Sequence, residues 1–103
     1  MATHEDPTMK LQILSPDTTL FDGQVKEISC HNEKGQFDVL FGHANFMSMI
    51  DKKITVIQAD GVKKEYPVEQ ALIEVHNNEI YIFVNIMMTQ ELAGKLKEAV
   101  NEK

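Results

Sequence analysis

Four histidines and one cysteine are the residues of this 103-residue chain with the widest chemical repertoire. His31 follows Cys30 directly, His43 sits between Gly42 and Ala44, His76 precedes an Asn-Asn pair, and His4 lies in a polar leader. A zinc site needs ligands in pairs a few residues apart, and neither C-x-x-C nor H-x-x-x-H occurs. A Cys30-His31 dyad fails too, because neighbours on an extended strand point to opposite faces. Cys30 is therefore expected to behave as a small buried hydrophobe. Ser15, Ser29 and Ser48 stand in no triad-like context. The loops "NEKGQ" and "LFGHA" match neither the P-loop nor the dinucleotide fingerprint, so phosphate binding has no support. Metal, nucleophile and nucleotide chemistry all lack the spacing they require.

Methionine offers a different reading. Met47 and Met49 follow the Gly-His loop, and Met87 and Met88 stand where strand-like residues give way to a helical pattern. Thioether side chains serve both as core fillers and as adaptable interface residues.

Composition narrows the partners. Hydrophobic residues at 43% and charged residues at 25% suit one small folded domain. Sixteen acids against ten bases give a formal charge of -6, which disfavours nucleic acid and anionic lipid, since both need basic patches. The longest apolar stretch, "IYIFVNIMM", is interrupted by Asn85 and is far below the roughly 20 residues of a membrane helix. "MATHEDPT" has neither a basic nor an apolar signal region, and one cysteine closes no internal disulfide. A cytoplasmic domain that meets a protein partner or a small ligand is the expectation.

The elements that must position these residues are strands. "MKLQILSP" alternates apolar Met9, Leu11 and Ile13 with polar residues until Ser15-Pro16 stops it. Asp22-Gly23 and Asp60-Gly61 are hairpin signals, and "HNNE" predicts a third tight turn between "ALIEV" and "IYIFV". Val25 differs in parity from Ile28 and Cys30, which predicts a bulge or a strand covered on both faces. In "QFDVLF", Phe37, Val39 and Phe41 are expected on one face, and "VKKEYPV" with Pro67 reads as an edge strand. About nine mostly antiparallel strands result. From Thr89, Leu92, Leu96, Ala99 and Val100 recur at helical spacing, which predicts one short helix destabilised by Gly94.

The pieces "LQILSP", "LFDGQV", "EKGQFDVLFGHANF", a second Asp-Gly turn and "ALIEVHNNEIYIFV" follow one another in an order that resembles the ε subunit of F-type ATP synthases. The likeness runs from about Lys10 to Val84. Ser15-Pro16, Phe21, Gly23, Val25, Glu33, Gly35, Phe37, Gly42, His43, Ala44, Glu74 and Val75 fall on that family's pattern. Departures are Gln36 for an acidic residue, Asp38 for glycine, Phe41 and Asn45 for prolines, and Gln70-Ala71 for a glycine pair.

The resemblance implies an antiparallel β-sandwich of about nine to ten strands, over residues 9–86, between a leader (1–8) and a short C-terminal helix (87–103). It implies a non-catalytic rotor subunit in the central stalk, joining the γ subunit to the c ring on the cytoplasmic side of the cell membrane. The expected contact residues are Glu33, Gly35, Gln36, Phe41, Gly42, His43, Ala44, Phe46 and Met47. Catalytic residues, cofactors, metals, nucleic acid, membrane insertion and small-molecule ligands are not expected. Relatives with a longer tail carry an inhibitory helical hairpin that in some binds ATP; residues from Thr89 to about Asn101 are expected to form neither. The alternative is a divergent free-standing β-sandwich adaptor for another protein.

Overall fold

Alternation in the first strand does what an extended backbone requires: Met9, Leu11 and Ile13 turn inward and are buried, while Lys10 faces solvent. The computed structural model describes residues 7–84, which form six strands: β1 (Met9–Leu14), β2 (Thr19–Asn32), β3 (Gly35–Leu40), β4 (Phe46–Gln58), β5 (Lys63–His76) and β6 (Glu79–Val84). Their order is β1-β6-β5-β4-β2-β3, and a further β1–β2 pairing closes the first five into a flattened barrel with β3 attached to β2. The β1–β6 pair is parallel and the other pairs are antiparallel. Closure removes most free edges, which is how all-β domains avoid pairing with other chains.

Six strands replace the nine expected because β2, β4 and β5 each run through a point read from sequence as a break. Asp22-Gly23 is not a hairpin: it lies inside β2, opposite Gln12 and Leu11. The reversal happens earlier, where Ser15 N–H donates to Thr18 O at 2.8 Å and Thr18 N–H donates to Ser15 Oγ at 3.2 Å. A Cβ at position 23 would stand 3.4 Å from the Phe21 Cζ, an ordinary contact, so space does not require glycine there. "FMSMI" and "KITVIQA" fuse into β4 through an irregularity near Lys52, whose φ is +70°. "VKKEYPV" and "ALIEV" fuse into β5, where Glu69 and Gln70 together oppose Asp51. Bulges of this kind bend a strand without ending it, so one strand serves two parts of the wall.

Other expectations hold. A register shift between Val25 and Glu27 is the bulge that the parity of Val25 predicted, and Val25, Ile28 and Cys30 are all buried. Asp60-Gly61 makes the β4–β5 turn with Gly61 at φ +90°. Asn77 and Asn78 take φ of +51° and +65°, the left-handed pair of a type I′ hairpin. Pro67 pairs only with Lys53 of β4, at a stretch of β5 that β6 does not reach. Phe41 departs from its expected place: it lies past the end of β3 and is 51% exposed, whereas Val39 is fully buried.

The core is a cluster of aliphatic side chains from all six strands, with Cys30 among them and no buried polar or charged side chain among the described residues. Burial of this kind supplies the non-directional part of stability. The leader expected over residues 1–8 lies largely outside the described residues, and the helix expected over residues 87–103, with Met87 and Met88, lies wholly outside them.

Candidate partner-docking surface

At one end of the barrel, the β2–β3 hairpin, the first half of β4 and the β5 bulge enclose an open groove of about 870 Å³. Gly35 closes the hairpin at φ +123°, a conformation that side chains resist, while Lys34 N–H donates to Asn32 Oδ1 at 2.9 Å. The groove floor is aromatic. Phe37 and Phe46 meet edge to face with centroids 5.7 Å apart, and the His43 ring lies 5.1 Å from Phe46. Met47 and Met49 extend the apolar lining, and Glu33, Asp51 and Glu69 place carboxylates around it.

Beside the groove the chain from Phe41 to Asn45 forms an exposed loop. Gly42 adopts φ +86°, and His43 N–H donates to Leu40 O at 3.0 Å. The His43 ring points along its own loop, with Nδ1 2.9 Å from Ala44 O, so Nδ1 carries the proton in this contact. Two further bonds tie the loop to the Asn77-Asn78 turn: Gly42 N–H donates to Asn78 Oδ1 at 2.7 Å, and Asn77 N–H donates to Asn45 Oδ1 at 2.8 Å. Leu40 and Phe41, each about half exposed, stand at this rim.

Of the nine expected contact residues, Glu33, Gly35, Gln36, His43, Phe46 and Met47 line the groove together. Phe41, Gly42 and Ala44 lie outside the lining, on the adjoining exposed loop. Sequence reading missed Asn45, Asn77 and Asn78 as loop-fixing groups. An Asn-Asn pair signals a turn, but nothing in the spacing tells which distant backbone N–H its side chain will accept.

The remaining reactive groups are accounted for structurally. Burial, reinforced by nearby Asp38, pushes the Cys30 thiol up to about 12, which keeps it protonated and inert. His31 faces the other way and meets Asp51 at 2.8 Å between Nδ1 and Oδ1. Ser29 donates to Asp38 Oδ1 at 2.7 Å. Among the described residues, no three His, Cys, Asp or Glu side chains converge as a metal site would need. No described helix is long and apolar enough to cross a membrane.

These strands define the class of closed, bulged β-domains; of the four exposed large apolar residues among those described, Leu40 and Phe41 stand beside the groove, and Leu20 and Val62 lie away from it. Residues 8–90 match the family described as the ATP synthase Delta/Epsilon chain, beta-sandwich domain, and the chain belongs to that family. It is 32% identical over 77 residues to an ATP synthase epsilon chain of Clostridium botulinum, covering 74% of this chain and 58% of the relative. It is 30% identical over 97 residues to that of a Sulfurovum species, covering 88% and 76%. The chain thus spans under two thirds of the Clostridium relative's length. Among solved structures, a chain of the Euglena gracilis mitochondrial ATP synthase, seen with OSCP, F1 and c-ring, superposes with a TM-score of 0.71 at 18% identity. That match covers 95% of this chain and 72% of the other. A chain of the Tetrahymena thermophila mitochondrial ATP synthase central stalk and c-ring gives 0.64 at 13% identity, covering 94% and 93%. At these identities the likeness is one of fold.

Proposed function

We propose that this chain is an epsilon-type subunit in the central stalk of an F-type ATP synthase, a non-catalytic part that joins γ to the c ring and so passes ion-driven rotation to the catalytic head. It would act at the cytoplasmic side of the cell membrane, held there by its partners. The observation that carries the reading is the groove lined by Phe37, His43, Phe46 and Met47, with the exposed Leu40 and Phe41 beside it. A transmission part needs rigidity and contact area. The closed sheet supplies the first, and the rim with its groove offers the apolar centre of an interface of about 800 Å² per partner. The acidic rim residues Glu33 and Glu69 favour partner loops that carry lysine or arginine.

The test is co-purification from detergent-solubilised membranes with a tagged chain, wild type against the double variant Phe41→Asp, Met47→Asp. Wild type is expected to bring γ and c, and the variant to lose them while its urea unfolding curve stays close to wild type. Equal recovery by the variant removes both residues from the interface. Failure of the folded wild type to recover either subunit overturns the reading.

A further inference from the structure

We propose that Asn45 and Asn78 are positioning residues that clip the Phe41–Asn45 loop onto the β5–β6 turn and hold it in the shape a partner meets; this rests on the reading of that loop as a docking surface. The two bonds run in opposite directions. The turn's side chain, Asn78 Oδ1, accepts from the loop backbone at Gly42, and the loop's side chain, Asn45 Oδ1, accepts from the turn backbone at Asn77. A backbone N–H must be met by an acceptor, so the chemistry dictates which end of each carboxamide faces inward.

The turn is a firm base for this clip. Its two central residues occupy the left-handed region that asparagine tolerates, and the Asn78 carbonyl accepts from Lys10 N–H of β1 at 3.1 Å. The loop by contrast is exposed from Phe41 to Asn45, and its other bonds are short-range, from His43 N–H to Leu40 O and from His43 Nδ1 to Ala44 O. Without the clip it samples many conformations, and a partner has to select one of them. With it, the ordering cost is met during folding, which favours tight docking.

Asn78→Gly isolates the clip. Glycine suits a left-handed turn position and retains the carbonyl that Lys10 uses, so only the acceptor Oδ1 is lost. Amide exchange at Gly42 is expected to quicken about fivefold or more, with the amides of Ile80 and Ile82 unchanged. Binding to the γ subunit of the same organism, co-expressed with the chain, is expected to weaken by a similar factor. Asn78→Asp, which keeps the acceptor, should restore both, and Asn45→Ala should act in the same direction at the Asn77 amide. Unchanged Gly42 exchange in Asn78→Gly overturns the clip. Faster exchange with γ binding equal to wild type overturns its positioning role. A wild-type chain that fails to bind γ overturns the docking reading instead, a result the exchange rates alone cannot produce.

Discussion

Ile82 and Phe41 are both large apolar side chains, yet Ile82 is fully buried in the wall between β1 and β5 while Phe41 stands half exposed at the rim. The wall holds together through aliphatic packing and a continuous ladder of backbone bonds. The rim is held by individual side-chain bonds: Gly42 to Asn78, Asn77 to Asn45, Lys34 to Asn32. Packing is cooperative and unforgiving, whereas polar clips can be removed one at a time. The difference separates the residues that make the fold from those that shape its exposed rim.

Truncating one residue from each region tests that separation most severely. Ile82→Ala is expected to cost about 2–5 kcal/mol in urea unfolding, through lost burial and an unfilled cavity. Phe41→Ala should change stability by no more than about 0.5 kcal/mol, the usual range for a surface site. Similar losses in the two variants would show that Phe41 belongs to the core and break the comparison. Gly35→Ala lies between them. No neighbour stands within 4 Å of a Cβ at Gly35, so the cost is backbone strain at φ +123°, about 1–3 kcal/mol, confined to the β2–β3 hairpin.

Cys30 sharpens the comparison from the wall side, because it is a chemical group sealed into packing. Its thiol ordinarily titrates near 9 and is held up to about 12 in the fold. The native state therefore resists forming the thiolate that the unfolded chain forms freely. Stability is unaffected below about pH 9 and falls as pH rises from there toward 12. In practice, iodoacetamide at pH 8.5 should label the urea-unfolded chain readily and the native chain slowly. Rapid native labelling would show that the β2–β3 part of the wall opens.

Much of this architecture was legible in the residues. Alternation in β1 and β6, the left-handed signals at Asp60-Gly61 and Asn77-Asn78, and the parity of Val25 each name a backbone geometry that local sterics enforce. Strand continuity was not legible. Gly23, Lys52 and Gln70 carry the polarity of a turn, but a bulge and a turn use the same local chemistry, and only pairing with distant strands decides between them. The site divides likewise. Six of the nine expected contact residues line one groove because hairpin and loop are near in sequence. The clip joins positions more than thirty residues apart, and no spacing rule reaches that far.

The smallest effects are expected where charges face water between wall and rim. Lys53 and Glu65 approach to 3.4 Å across β4 and β5, but their side chains are 58% and 46% exposed. Glu65→Gln should therefore shift stability by under about 0.5 kcal/mol, even though Lys63, 3.8 Å from the same oxygen, loses its counter-charge too. His31–Asp51 is closer, at 2.8 Å, and better shielded on the histidine side, at 29% exposure. Asp51→Asn is expected to cost more than Glu65→Gln but no more than about 1 kcal/mol, because the amide oxygen can still accept from the ring. Urea curves of the two variants at low and high salt give the ranking. If the Glu65 variant were the more damaged, β4–β5 pairing near Pro67 would depend on charge to a degree that the packed wall does not.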